Sequence, residues 1–497
     1  MAFSGPGCPV GPAKSVHLAG GEQLLPGNPL RDRRGRSGGL RRIPGNPGAR
    51  PPGAPGRSGT GFRTSCRSGS GGHGFCGCLG ANAHVFPVQP APYLVDSGLV
   101  VGRQPGSRAQ GRRWRDATVT NPAHIVLDAL LVGPHPTGVG RSILELARAL
   151  AGQERSLTFT VLVTHPEPFD FLAGHQGWSV VSCRQVAGST WRKALFTQFD
   201  LPGLCRKLKA DLLHSLQFIV PLRCPCRRVV TVHDLAWKSH AGILQTSRRL
   251  YYDALVPRSL AVADAVVTNS ESTAREVRDF LPACWDRVFV TPFGTPSWVW
   301  EMEELPPPPN RERYFLFVGT LEPRKNLERL LLAFEAFHAE CVGKGRDPSA
   351  IPGLKLAGAR GWNDGALRRR IRDLAARGLL EVLDYCPPPR LWELYSRSSG
   401  LVFPSLQEGF GFPILEAMAA GCPVLTSNRG AMREVAGEQA VFVEPEDLGS
   451  LRRGLQVLAW DAEGNRTRRE AGRVRARRWD WSRTADATCE VYRRVLG

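Results

Sequence analysis

Apolar positions become periodic near residue 123. His124-Ile-Val-Leu-Asp-Ala-Leu-Leu-Val132 reads as an apolar strand, and the loop Gly133-Pro-His-Pro-Thr-Gly-Val-Gly140 follows it. Next comes a helix from about Ser142, with Ile143, Leu146, Ala147 and Leu150 on one face and Ser142-x-x-Glu145 as a capping box. Strand, glycine-rich turn and helix open a doubly wound α/β unit. The alternation continues with strands at Phe159–Thr164, Arg228–Val232 and Ala265–Asn269. Thr273-x-x-Glu276 begins a helix, and Arg287–Val290 is a strand leading into Thr291-Pro-Phe-Gly294. Thr295 to Arg313, with Pro306-Pro-Pro-Pro309, has the composition of a linker. The pattern then restarts: strand Tyr314–Val318, loop Gly319–Lys325, and helix Leu327–Glu340 with Leu330, Leu331, Phe334 and Phe337 inward. Leu354–Ala357, Glu381–Tyr385, Leu401–Pro404 and Val424–Ser427 are further strands, and a helix runs from Trp481 to Leu496. Two strand-first halves predict two Rossmann-like domains facing across a cleft, with the chemistry in loops at the carboxyl ends of the strands.

Upstream of this the pattern vanishes. Residues 1–120 are rich in Gly, Pro, Arg and Ser and have no apolar period, so disorder is expected; an upstream stretch that is not native coding sequence is the blander account. The expected division is therefore 1–120 disordered, 121–296 first domain, 297–312 linker, 313–480 second domain, and 481–497 a terminal helix packing back on the first domain. Composition changes the picture at one point. The chain of 497 residues carries a net charge of +20, but residues 1–120 hold 16 of the 65 Lys and Arg and only 4 of the 45 Asp and Glu. Most of the excess lies outside the periodic region, so a nucleic-acid function does not follow from total charge. No apolar run is long enough to cross a bilayer. The 13 cysteines are scattered and odd in number, and Cys76-x-Cys78 and Cys224-x-Cys226 lack the spaced partners of a zinc site. A reduced, cytoplasmic protein is the resulting expectation.

The stretch Pro404-Ser-Leu-Gln-Glu408-Gly-Phe-Gly-Phe-Pro413-Ile-Leu-Glu416-Ala-Met-Ala-Ala-Gly421 carries the most chemistry. A strand ends at Pro404; Gly409 and Gly411 allow close backbone approach; Pro413 is expected at the first helical position. Free amides at that helix start favour an anion, while Glu408 and Glu416 can accept from sugar hydroxyls. Taken alone, a helix-dipole partner and a loop cap account for the two glutamates more simply. In Gly319-Thr-Leu-Glu-Pro-Arg324-Lys325-Asn326, adjacent cations at a strand's carboxyl end can hold a diphosphate, with Asn326 capping the next helix. His233 stands just past the apolar strand Val229-Val-Thr-Val. Gly138-Val-Gly140 is no Walker motif, and Gly358-Ala-Arg360-Gly-Trp362 is another loop that can line the cleft.

Together these motifs resemble a known family. Residues 121–497 are similar to retaining nucleotide-sugar glycosyltransferases of family 4 (glycosyl transferase group 1), with the GT-B fold, and to the mannosyltransferase-like bacterial members among them. Glu408-Gly-Phe-Gly-Phe-Pro-Ile-Leu-Glu416 matches the family's Glu-x7-Glu motif, and Gly319–Asn326 its donor-phosphate loop. Thr137-Gly-Val-Gly-Arg141, Val232-His-Asp234, Val267-Thr-Asn-Ser-Glu-Ser-Thr273 and Ser427-Asn-Arg-Gly430 follow in the family's order. The resemblance implies an enzyme that moves a hexose, mannose from GDP-mannose as the first choice, from a nucleoside-diphosphate sugar to a glycan or lipid-linked acceptor. By the same resemblance Glu416 would bind the ribose hydroxyls and Glu408 those of the transferred sugar. Arg324 and Lys325 would hold the diphosphate, and His233 would sit near the anomeric centre. Gly138 and Gly140 would let the first-domain loop approach the phosphates, and Gly319, Arg360, Gly409, Phe410 and Gly411 would complete the donor site. Many relatives have Arg after the donor-loop glycine, where this chain has Thr320. No cofactor or metal is expected, since the Asp-x-Asp signature is missing, and no nucleic-acid partner. A basic face would give peripheral contact with the inner side of the cell membrane. The alternatives are a non-catalytic sugar-nucleotide-binding relative and another nucleotide-sugar enzyme such as an epimerase.

Overall fold

The structure is a computed structural model that describes residues 122–497 apart from 135, 137, 154–156, 189, 240–245, 305–311 and 359–364. The expected disordered segment 1–120 and the proline run 306–309 lie outside the described residues.

The first lobe holds seven strands: β1 (Ala123–Asp128), β2 (Leu157–Val163), β3 (Trp178–Ser182), β4 (Leu212–Ser215), β5 (Arg227–Val232), β6 (Ala265–Thr268) and β7 (Val288–Val290). They form a parallel sheet in the order β3-β2-β1-β4-β5-β6-β7. The second lobe holds β8 (Tyr314–Val318), β9 (Gly353–Ala357), β10 (Leu380–Leu383), β11 (Gly400–Phe403), β12 (Val424–Ser427) and β13 (Ala440–Val443). Their order is β10-β9-β8-β11-β12-β13, again parallel. In both sheets the order reverses beside the lobe's first strand, between β1 and β4 and between β8 and β11. Loops leaving the two central strands part there and open a crevice.

Side chains alternate between the faces of each sheet. Ile125 and Leu127 of β1 pack toward the helices Val139–Ala151 and Trp481–Leu496, whereas Val126 packs toward Leu201 and Cys205. The apolar cluster containing Ile125 continues without a break to Leu316, Leu401 and Ile414 of the second lobe. Phe293 of the first lobe stacks on Phe412 with ring centroids 5.8 Å apart and on Trp481 at 5.2 Å. The helix Trp481–Leu496 lies against Val139–Ala151, and its Tyr492 hydroxyl meets His214 Nδ1 of β4 at 2.7 Å. Thr231 takes the other ring nitrogen of His214 at 2.8 Å, and burial lowers this histidine to about 3, so it stays neutral.

Several local expectations are corrected. The first helix begins at Val139, not Ser142, so there is no capping box: Ser142 Oγ donates to the Val139 carbonyl and Glu145 accepts from Ser297. The helix at Thr273 begins at Glu271, because Ser270 caps it by accepting from the Thr273 amide at 3.1 Å. Asn326 does not cap its helix; it adopts a left-handed φ of 59°, and its side-chain amide donates to the Pro404 and Pro445 carbonyls. The segment read as linker starts as a helix, Ser297–Glu303, because Trp298 and Val299 are buried. Cys224-x-Cys226 does have a neighbour: the helix Leu201–Lys207 brings Cys205 beside it. Among the described residues, no helix is long and apolar enough to cross a membrane.

Candidate active site

The crevice of the second lobe is walled by the loops after β8 and β11. They are laced together, because the Leu406 amide donates to the Arg324 carbonyl at 2.7 Å and Asn326 holds the Pro404 carbonyl at 3.2 Å. After β8 the backbone passes through Gly319 at φ +150°, and the Lys325 side chain lies over that glycine. A Cβ on Gly358 would stand 2.2 Å from the Gly319 carbonyl oxygen, so the loop after β9 rests directly on the loop after β8.

Glu408 lies between both cations. Its Oε2 accepts from Arg324 Nη1 at 2.5 Å, and its Oε1 accepts from Lys325 Nζ at 2.6 Å. All three side chains are largely buried. Burial alone would raise the Glu408 carboxyl, but Lys325 and then Arg324 outweigh it and hold the group at about 2. Burial pushes the Lys325 ammonium down, with the Arg324 charge adding to this and Glu408 opposing it. For Arg324 the balance goes the other way: Glu408, Glu322 and Asp234 raise it despite burial. A carboxylate in contact with two donors at these distances fixes all three as charged. Lys325 also stands 4.6 Å from the Phe403 ring centroid.

The glutamate loop touches the first lobe. A Cβ on Gly409 would fall 1.7 Å from the His233 carbonyl oxygen, so only glycine fits. The Gly409 carbonyl in turn accepts from Ser270 Oγ at 2.8 Å and Thr273 Oγ1 at 3.3 Å. His233 Nε2 lies 3.0 Å from the Leu216 carbonyl, which can only accept, so Nε2 carries the proton. Its Nδ1 is buried with no hydrogen-bond partner, and burial lowers the pKa, so the ring is neutral and offers a lone pair. Beside Glu408 a cavity of about 350 Å3 opens between the lobes, lined by Glu276 from the first and by Gln407, Glu408, Arg429 and Gly430 from the second.

Buried cations at a switch-point loop, with a glutamate between them and a glycine seat on the opposite lobe, form a charged pocket wall suited to an anionic group. Residues 136–296 match Glycosyltransferase Family 4, and residues 300–475 match Glycosyl transferases group 1. The chain belongs to this glycosyltransferase family. It is 28% identical over 300 residues to the O-antigen chain mannosyltransferase B of Escherichia coli, which covers 58% of this chain and 75% of that protein. Serotype-specific mannosyltransferase WbdA of Escherichia coli is 28% identical over 47% of this chain, but the chain spans only 29% of that protein's length. Sucrose-phosphate synthase from Thermosynechococcus elongatus superimposes with a TM-score of 0.57 at 22% identity, over 75% of this chain and 99% of that one. That likeness shows the GT-B fold.

In this glycosyltransferase the second glutamate of the motif has different company from the first. Glu416 lies in the second turn of the helix Phe412–Ala419, which begins at Phe412 rather than Pro413, directly after Gly411 at φ 109°. It accepts from Arg141 Nη1 at 3.2 Å across the lobes and from the Tyr395 hydroxyl at 2.9 Å. Burial raises its pKa, and Arg141 and Tyr395 only partly offset that. Arg141 follows Gly138, at φ +48°, and Gly140, where a Cβ would come within 3.2 Å of Pro136. Sequence reasoning quoted Arg141 but gave it no role; its signal was a cation one residue past the last glycine of a helix start. Tyr395 was missed because it sits on the amphipathic helix Pro388–Arg397 and reads as core.

The Phe410 ring is buried against Phe293, Phe412 and Trp479, with centroids 5.2 to 5.4 Å away. Only its backbone remains for a ligand. Arg360 lies outside the described residues. The remaining site residues divide between two centres, Gly319, Arg324, Lys325, Glu408, Gly409 and His233 at one and Gly411 and Glu416 with the Gly138–Arg141 helix start at the other. The cavity touches Glu408 but neither Lys325 nor Glu416.

Proposed function

We propose that this glycosyltransferase moves a hexose, mannose as first choice, from a nucleoside-diphosphate sugar with GDP as the favoured base. The acceptor is a hydroxyl of a glycan or lipid-linked saccharide, the anomeric configuration is retained, and the product enters polysaccharide or glycoconjugate synthesis. The single observation that carries this is Glu408 bridging Arg324 and Lys325. A diphosphate matches the two cations in charge and size and replaces the carboxylate on them. Glu408 is then free to accept from the hydroxyls of the sugar, and the neutral His233 Nδ1 accepts from another. As the bond from the anomeric carbon to the diphosphate breaks, charge on the leaving group grows beside Arg324 and Lys325 and is stabilised there without a metal. Glu416, with one oxygen on Arg141, faces the ribose hydroxyls. The name mannosyltransferase on the two Escherichia coli relatives supports mannose.

Millimolar GDP should raise the melting temperature of the full chain, because a ligand that binds only the folded state stabilises it. If neither GDP nor UDP raises it, the donor reading fails.

Contact with the membrane that carries a lipid-linked acceptor is supported by an exposed apolar and basic face on the first lobe. Trp191, Leu195 and Phe199 are all more than half exposed, and Leu195 and Phe199 share one surface hollow with Arg192 and Lys207. The protein should sediment with vesicles containing anionic lipid, and Phe199→Ser should release a large part of it. Equal sedimentation of the two proteins would refute the contact.

A further inference from the structure

Three cysteines that glycosyl transfer does not use meet on the first lobe, on the sheet face turned away from the helices Val139–Ala151 and Trp481–Leu496. Cys205 comes from the helix Leu201–Lys207, and Cys224 and Cys226 from the turn between β4 and β5. All three are free thiols. Their sulfurs lie within 4.8 Å of one another, with Cys224 and Cys226 at 3.4 Å. Metal–sulfur bonds of about 2.3 Å place sulfurs about 3.8 Å apart around a tetrahedral ion and about 4.0 Å apart around a trigonal one. The observed spacings, 3.4 Å for one pair and no more than 4.8 Å for any, bracket that range.

The surroundings suit such an ion. Cys205 is fully buried, and Val126, Leu162, Leu201 and Leu213 form an apolar wall behind it. Cys224 and Cys226 are half-buried, which leaves a route for an ion and a position for water. Pro225 stiffens the turn between them. Arg228 closes the same turn by donating to the Leu222 carbonyl at 3.1 Å, with its guanidinium also 4.0 Å from Asp264. Thiolates select soft d10 ions such as zinc(II) and copper(I) over oxygen-seeking metals.

We propose that Cys205, Cys224 and Cys226 bind one thiophilic metal ion, with the fourth position open to solvent, which clips the helix Leu201–Lys207 to the turn before β5. On binding, three thiols release their protons to solvent and three metal–sulfur bonds form.

The test uses the full chain, purified under reducing conditions, stripped with chelator and reloaded with zinc. Elemental analysis after desalting should find about one zinc per chain. Cys205→Ser should lower that at least tenfold, and zinc should raise the melting temperature of the stripped parent but not of Cys205→Ser. Cobalt(II) in place of zinc should give thiolate-to-metal charge-transfer absorption. The parent needs no substitution, so a variant that fails to fold leaves the answer intact. Retention of copper(I) in place of zinc, lost in Cys205→Ser, supports the same site. A parent that keeps neither ion, full retention in Cys205→Ser, or a disulfide between any two of the three in freshly isolated protein would overturn it.

Discussion

Glu408 and Glu416 bracket one loop and one helix start, and both are buried, yet their carboxyl pKa values shift in opposite directions. Glu408 has two cations within 2.6 Å and is held at about 2, below its ordinary 4.5. Glu416 has one, Arg141 at 3.2 Å from the other lobe, plus a neutral phenol, and is raised. Desolvation is the largest influence on each, so the number of cations and their distance decide the sign. The first glutamate is a fixed anion whose partners come from its own lobe. The second depends on the approach of the other lobe for Arg141.

The largest test of this contrast removes a cation from the first centre. Lys325→Ala should lower turnover roughly a hundred- to a thousandfold, the size of effect seen when an oxyanion donor is lost. Steady-state kinetics check it, and a near-normal rate would break the assignment of the leaving-group charge to this pair. A second test follows from the depressed carboxyl. The ion pairs of Glu408 contribute stability in full above pH 4.5, and that stability is lost as pH falls toward 2. The contribution is about 3 kcal/mol, and Glu408→Gln should show a correspondingly flatter fall in unfolding free energy over that window. Matching acid profiles for parent and variant would show that the two cations do not hold the carboxylate as described. The smallest effect belongs to the second centre. Tyr395→Phe removes one hydrogen bond to a charged group and should cost about 2 kcal/mol in denaturant unfolding, while sharpening the dependence of Glu416 on Arg141. An unchanged midpoint would mean that the phenol contributes nothing there.

Much of the fold was legible because its strands are buried on both faces and read as short apolar runs. Tyr314–Val318 and Val424–Ser427 appear where the pattern puts them, as does the helix Trp481–Leu496. The pattern passed over β4, whose four residues end in His214 and Ser215; both are buried, the histidine partnered by Thr231 and Tyr492 and the Ser215 hydroxyl donating to Asp128. The edge strand β3 was passed over because half-exposed positions dilute its apolar signal. Cap patterns misled where three-residue spacing was the whole signal: Ser142-x-x-Glu145 lies inside its helix, and Glu145 serves Ser297. At the site, the local motifs brought out Glu408, Arg324 and Lys325. The ionic partner of Glu416 stands 275 residues away in sequence, and nothing in the order of residues shows which cation will cross the crevice to meet it. The Cys205 neighbourhood was hidden for the same reason, since a helix and a turn must both be in place before the sulfurs meet.

The contact between His214 and Tyr492 joins residues 278 positions apart, with the whole second lobe between them. The first lobe therefore cannot seal its own surface until its neighbour has been threaded past. Residues 122–296 produced alone would leave Ile143, Leu146 and Leu150 without the Trp481–Leu496 cover they now have, and should collect as aggregates rather than settle. Bridging of such remote positions also makes for slow maturation, since the intervening loop must be closed before the contact can repay its entropy.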